Sequence, residues 1–266
     1  MGKLEGRVSI VTGGGSGIGF AIARAYTEEG SVVVIADCSE ESGSAAAKNI
    51  NETGGRSIFV RTDVSRWADM DHLVSETVRH FGKLDIMVNN AGVLDGYVTC
   101  LETSEELFDR ILAINLKGVF FGCKRALTEM VKAGYGKIIN ISSIAGLQSN
   151  AGGTPYTISK HGVIGLTREL AHEYGPKGIR VNAICPGSIA ETNLRVTSKE
   201  VLGECSAGNM YAGPGTKPPE YLRELIPLGG RGVPKDIALA AVFLASLDSD
   251  YVNGHALVVD GGLVVR

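Results

Sequence analysis

The amino-acid sequence predicts an α/β fold, a doubly wound parallel sheet with a substrate lid placed before the last helix and strand. Three observations carry this expectation. Apolar, β-branched runs alternate with helix-period segments along the chain. Most of those runs are apolar throughout rather than at every second residue, the pattern of strands buried on both faces. One long irregular stretch, 188–228, breaks the alternation and is rich in Gly and Pro ("AGPGTKPPE").

The elements follow in order. "RVSIVT" (7–12) reads as the first strand, with a helix from about Gly17 to Glu29 behind it. "SVVVIA" (31–36) is the second strand, and "SEESGSAAAKNINETG" a helix that opens on a capping serine. "SIFVRT" (57–62) precedes the helix of "DMDHLVSETVRHF", and "LDIMVN" (84–89) precedes helical sequence from about Ser104 to Lys132. "GKIINIS" (136–142) is the fifth strand, residues 156–174 a helix, and "GIRVNAI" (178–184) the sixth strand. A helix at 234–247 and the strand "HALVVD" (255–260) close the pattern. Right-handed crossovers then place helices on both faces of one sheet. No low-complexity linker divides the chain, so one domain is expected over 1–266, with 188–228 as its lid segment.

Composition excludes several classes of function. The 266 residues are 44% hydrophobic and 21% charged, as in a soluble globular protein. A net charge of −3 offers no surface for nucleic acid or an anionic membrane, and no apolar run is long enough to span a bilayer. The opening "MGKLEGRVSI" has no apolar signal core, and Gly6 stands where a myristoylation motif needs Ser or Thr. The five cysteines (Cys38, Cys100, Cys123, Cys185 and Cys205) are scattered and lack metal-ligand spacing. They read as buried reduced thiols of a cytoplasmic protein, with no metal site. The 36 glycines fit tight turns and close ligand approach.

Chemistry enters after the first strand. "TGGGSGIGF" places Gly13, Gly17 and Gly19 at G-x-x-x-G-x-G spacing, followed by a helix. Glycines allow a tight turn, and the free N–H groups of the helix start attract an anion. Asp37, at the end of the second strand and eighteen positions after Gly19, stands where a carboxylate would bond a ribose 2′-hydroxyl. Taken alone, the loop fits any strand-to-helix turn, and Asp37 fits a helix-start residue.

With "TGGGSGIG", "NNAG" (89–92), Asn115, the serines Ser142 and Ser143, and Tyr156 with Lys160 in this order, the chain resembles the short-chain dehydrogenase/reductase family over essentially its whole length. The resemblance implies a Rossmann-type fold, a nicotinamide cofactor and a catalytic tetrad of Asn115, Ser143, Tyr156 and Lys160. The thirteen-residue step to Tyr156 favours Ser143 over Ser142. The resemblance also implies that Ser16 and Ile18 join the glycines in holding the cofactor, and that Asp63 and Val64 meet its adenine. Asn90, Ala91 and Gly92 would flank it, and Pro186, Gly187, Ile189 and Thr192 would hold its amide end. The family places that threonine one residue earlier; "PGSIAET" carries an extra residue.

Tyr156 and Lys160 stand at i and i+4, on one helix face. A phenol has a pKa of about 10, and a nearby ammonium is expected to lower it. Tyr156 would then exchange a proton with the substrate oxygen, Ser143 would orient that oxygen, and Lys160 would also hold the nicotinamide ribose. In the family Asn115 anchors a water beside the lysine. His161 reads as packed or solvent-facing. Trp67 and the acidic run 102–106 read as helix starts and surface.

The expected function is reversible, NAD-dependent oxidation of a secondary alcohol to a ketone. Asp37 would repel a 2′-phosphate, and no Lys or Arg follows it at 38–39 or lies in the glycine loop. Rival readings are an NADPH-dependent 3-oxoacyl thioester reductase and a non-catalytic nucleotide sensor on the same fold. The loops 93–99 and 144–153 contain no Lys or Arg. Leu94, Tyr97, Ile144 and Leu147, with Met210 and Tyr211 of the lid, would form an apolar wall with Asp95, Gln148 and Asn150 as its polar groups. Arg195, Lys199, Lys217 and Arg223 are mixed with lid glutamates and read as a solvated face. The expected substrate is therefore a neutral cyclic alcohol or hydroxysteroid, then a polyol. The family also implies a homotetramer, through the helices 104–132 and 156–174 and the last strand.

Overall fold

Seven strands form one sheet in the computed structural model, which describes residues 2–203 and 219–265. They are β1 (Val8–Thr12), β2 (Val32–Asp37), β3 (Arg56–Arg61), β4 (Ile86–Asn89), β5 (Gly136–Ile141), β6 (Ile179–Pro186) and β7 (Ala256–Val259). Their order is β3-β2-β1-β4-β5-β6-β7, and every adjacent pair is parallel. The winding reverses between β1 and β4, so a crevice opens beyond the C-terminal ends of those two strands. "TGGGSGIG" follows β1 and "NNAG" ends β4, which puts both motifs at that crevice.

The uniform apolarity of the strands has the expected cause. Every residue of β1, β4 and β5 is buried. Successive side chains of one strand enter opposite cores: Ile10 packs on one face and Val11 on the other. The first face is covered by α3 (Trp67–Phe81), α4 (Glu105–Leu112), α5 (Gly118–Ala133) and α6 (Thr154–Tyr174). The second is covered by α1 (Gly17–Glu28), α2 (Glu40–Glu52) and α9 (Pro234–Ala245). Each such aliphatic side chain stabilises the fold by about 1.5–3 kcal/mol. The edge strands β3 and β7 are only part-buried.

Three local features differ from the sequence reading. The single helix expected over 104–132 is interrupted by a π turn at Ala113–Lys117, where the Gly118 amide reaches back five residues to the Ala113 carbonyl. The helix expected from residue 156 starts at Thr154, with Pro155 in the first turn, where its missing N–H costs nothing. Among the thiols, Cys123 and Cys185 are buried as expected, whereas Cys38 and Cys100 are exposed; Cys205 lies outside the described residues. The stretch 188–228 contains α7 (Leu194–Leu202) and α8 (Pro219–Leu225). Glu204, Met210, Tyr211 and Lys217 also lie outside the described residues. Among the described residues no helix is long and apolar enough to cross a membrane, and no cluster of His, Cys, Asp or Glu could hold a metal.

Candidate active site

The glycine loop is shaped by contacts that tolerate no side chain. A Cβ on Gly19 would lie 2.0 Å from the Gly13 carbonyl oxygen, and one on Gly15 would lie 2.8 Å from Asp37 Oδ2. Gly13 and Gly17 have φ of +62° and +53°, in the left-handed region open to glycine. Ser16 is the N-cap of α1 but makes no side-chain capping bond, which leaves the first-turn amides available to an anion. Asp37 ends β2 with its carboxylate fixed by the Gly15 and Ser39 amides, each at 3.0 Å. Asn90 ties the loop after β4 to the end of β1, donating to the Thr12 carbonyl at 2.9 Å and the Gly13 carbonyl at 3.2 Å. These features fit a dinucleotide: an amide-rich turn for phosphates and a carboxylate for a ribose.

Every residue assigned to the cofactor from sequence lines one cleft of about 360 Å³. Asp63 is among them, with Oδ1 already bonded to the amide and hydroxyl of Ser65. Thr192 faces Gly17, whose Cβ would lie 3.7 Å away. Beside it Glu191 has φ +54°, so the extra residue of "PGSIAET" includes a left-handed non-glycine position.

Ser143, Tyr156 and Lys160 open on the same cleft. Ser143 follows β5 with an extended backbone, and its hydroxyl accepts the Ala145 amide at 3.1 Å. Ser142 is occupied otherwise: its hydroxyl donates to the Lys160 carbonyl at 2.9 Å. Lys160 Nζ donates to the Ile141 carbonyl at 3.0 Å and stands 5.6 Å from the centre of the Tyr156 ring. Asn115 lies in the π turn, fully buried behind the cleft rather than lining it. Its amide exchanges two bonds with Val93, both at 2.8 Å. A Cβ on Gly92 would stand 3.3 Å from Asn115 Oδ1 and 3.5 Å from Lys160 Nζ, so the three groups converge. His161 is exposed, its Nδ1 donating to the Thr157 carbonyl at 3.0 Å.

Two sequence expectations are corrected here. In the protein alone the Tyr156 pKa is raised and not lowered. Burial raises it; a hydrogen bond with Ser143 opposes, and the neighbouring Tyr97, Asp95 and Cys185 add to the rise. Burial likewise pushes Lys160 down to about 8. Asp95 is no free polar group for substrate: it is fully buried and bonded to three backbone amides.

The structure adds residues that sequence reading missed. Arg61, from β3, donates to the Cys38 carbonyl at 3.4 Å and so stands next to Asp37; the register Asp37↔Arg61 is its only signal, and it needs the sheet order. Arg110 lines the cleft from α4. Arg231 donates to Ser188 Oγ at 3.2 Å and to the Ile189 carbonyl, pinning the loop after β6. From α7, Leu194, Thr197 and Val201 line the cleft, while Ser198 accepts the Leu94 amide at 2.8 Å. Of the lid cations described, Lys199 and Arg223 are exposed, and the Arg195 guanidinium lies 5.8 Å from the centre of the Tyr97 ring. Of the apolar wall, Leu94 and Ile144 are buried and Leu147 is exposed.

Comparison with known proteins agrees with this geometry. A family model described as enoyl-(acyl carrier protein) reductase matches residues 13–264. The chain is 36% identical to 3beta-hydroxysteroid dehydrogenase 2 of Eggerthella lenta, covering 97% of this chain and 95% of that one. It is 37% identical to a 3-oxoacyl-(acyl-carrier-protein) reductase of Chlamydia muridarum, covering 98% of each. The crystal structure of levodione reductase superposes with a TM-score of 0.86 at 32% identity, over 97% of this chain and 98% of that one. The protein belongs to the short-chain dehydrogenase/reductase family, oxidoreductases that act on CH–OH groups with a nicotinamide nucleotide.

Proposed function

We propose that this protein catalyses reversible, NAD-dependent oxidation of a neutral secondary alcohol to a ketone, the alcohol being cyclic or a hydroxysteroid and, as second choice, a polyol. The observation that carries the reading is the meeting of Ser143, Tyr156 and Lys160 in the cleft that also holds Asp37. Tyr156 holds or releases the proton at the substrate oxygen. Ser143 bonds that oxygen and fixes its direction. Lys160 supplies positive charge beside the phenol and donors for a ribose. Asn115 fixes the loop that faces Lys160 through its bonds to Val93. When bound, the dinucleotide supplies the hydride acceptor and the positive charge of its oxidised ring. α7, with Leu194, Thr197 and Val201 over the cleft, belongs to a lid (188–228) that excludes water. The hydroxysteroid dehydrogenase among the similar proteins supports a ring substrate. The test is absorbance at the reduced-nicotinamide band with matched neutral and anionic alcohols. A best kcat/KM for a carboxylate or phosphate ester overturns the neutral-substrate reading.

The choice of NAD rests on Asp37. Its carboxylate is held by two amides and would meet a 2′-phosphate with like charge. Asp37→Ala is expected to lower kcat/KM for NAD by about tenfold, the value of one lost charge-assisted bond of roughly 1.4 kcal/mol. It should raise kcat/KM for NADP, because Arg61 then stands beside the phosphate. An unmodified protein that prefers NADP refutes the assignment. The alternative, NADPH-dependent reduction of a 3-oxoacyl thioester, is favoured by the likeness to the Chlamydia muridarum enzyme and opposed by Asp37. An acyl-thioester assay with each cofactor separates the two.

The same reading includes a cytoplasmic homotetramer. Phe120, at 42% exposure, joins Leu112, Leu116 and Leu166 in an apolar groove across α4, α5 and α6. Leu239 on α9 is 56% exposed, and the edge strand β7 is part-buried. Light scattering at micromolar concentration is expected to give four times the chain mass of 27.9 kDa. A stable monomer refutes it.

A further inference from the structure

Asp95 lies in the loop after β4 at 0% exposure, and its interactions among the described residues are with backbone amides and not with a cation. Its partners are three backbone amides. Oδ1 accepts from Tyr97 at 3.0 Å and from Gly153 at 3.1 Å, and Oδ2 accepts from Tyr156 at 2.9 Å. Burial raises the Asp95 pKa, and the three amides, all donors that suit an acceptor-only carboxylate, oppose that rise. Gly153 is the N-cap of α6 and has no side chain to cap it, so Asp95 caps this helix from a distant segment. The contact is tight: a Cβ on Gly153 would lie 2.5 Å from Asp95 Oδ2. Neighbours in the loop extend the link. Val98 accepts the Thr154 amide at 3.0 Å, and Leu94 donates to Ser198 of α7. Tyr97 sits at φ +60°, a left-handed position that costs a bulky residue about 1–3 kcal/mol. A neutral Asn or Ser would cap a helix as well, without the cost of stripping water from a charge.

We propose that Asp95 is the positioning residue of the acid/base tyrosine: it ties the first turn of α6 to the substrate loop and sets one fixed negative charge beside Tyr156. The inference rests on the reading of Tyr156 as acid/base. The groups that face Tyr156 are Ser143 after β5, Lys160 on its own helix, Cys185 on β6, and Tyr97 and Asp95 on the loop after β4. Lys160 carries the positive charge among them and Asp95 the negative one. The negative charge opposes the phenolate, so it keeps the Tyr156 proton on until higher pH.

The test compares Asp95→Asn and Gly153→Ala with the unmodified protein, using NAD and cyclohexanol across pH, with NAD affinity read by calorimetry. Asn keeps one acceptor and turns an amino group toward an amide donor. For Asp95→Asn, kcat is expected to fall about tenfold through misplacement of the phenol. The alkaline limb of its pH profile should move down by about half a unit or more, with NAD affinity within twofold of the original. Gly153→Ala displaces the carboxylate and keeps its charge, so kcat should fall with the limb moved less than in Asp95→Asn. Unaltered kcat and pH limb in Asp95→Asn overturn the proposal, as does a parallel loss of NAD affinity. A chain that cannot fold without this carboxylate gives it a purely structural role and overturns it too, as does full activity in Gly153→Ala. Tyr156→Phe, run alongside, separates the two readings: if it stays active, the assignment of Tyr156 fails; if it is inactive while Asp95→Asn is normal, Asp95 alone is wrong.

Discussion

Tyr156→Phe is expected to lower kcat about a thousandfold, within the range that general acid–base groups contribute, and to leave NAD affinity within twofold. The substitution removes one oxygen from a ring that is 8% exposed, so packing is kept. The lost bond with Ser143 changes stability by about 1 kcal/mol or less. The pH dependence is the sharper signature. Burial holds the phenol above its ordinary pKa, so oxidation by the unmodified protein should rise into the alkaline range as Tyr156 loses its proton. Reduction should fall over the same range. In Tyr156→Phe that limb should disappear. A variant that keeps a tenth of the original kcat removes Tyr156 from the acid/base role.

The sheet was legible because parallel strands are buried on both faces, and "SVVVIA" or "GKIINIS" can hardly be anything else. Helices on both faces followed from right-handed crossovers, whereas the strand order, and with it the meeting of the two motifs at β1 and β4, appears only in the fold. Ser143, Tyr156 and Lys160 were legible for a similar reason: each is set by local structure, a strand end and two successive turns of one helix. What failed has either no local mark in the sequence or depends on contacts between distant segments. The π turn at Ala113–Lys117 has no sequence mark, since its residues suit an α-helix equally well. Asp95 read as a polar group in an apolar loop because its three amide donors, one adjacent and two far along the chain, appear only in the fold. Arg61 and Arg231 were missed because a cation matters by where it ends up, and both act on neighbouring strands or loops. The direction of the Tyr156 shift was misread because helical spacing shows a nearby charge and not how much water the folded chain removes.

Lys160→Met is expected to abolish turnover, by about a hundredfold or more, while leaving the protein no less stable. Lys160 is 3% exposed, and its Nζ donates to the Ile141 carbonyl. Burial holds its pKa at about 8, far below the ordinary lysine value. The unfolded chain therefore binds more protons than the folded one between pH 8 and the unfolded value near 10.5. Stability of the ligand-free protein should rise with pH across that window. Below pH 8 the full cost of the buried ammonium is present, of the order of 3 kcal/mol for this shift. Methionine removes that cost and leaves the Ile141 carbonyl without its donor, which returns about 1–3 kcal/mol. Thermal melts at pH 7 should thus place Lys160→Met at or above the unmodified protein, and the gap should shift against the variant by pH 10 as Lys160 itself becomes neutral. An unmodified protein whose melting temperature falls from pH 8 to pH 10 relative to the variant overturns the sign expected of a buried lysine. A stable, inactive variant would mean that the charge is kept for the reaction at the expense of the fold, the trade-off common to strained functional sites.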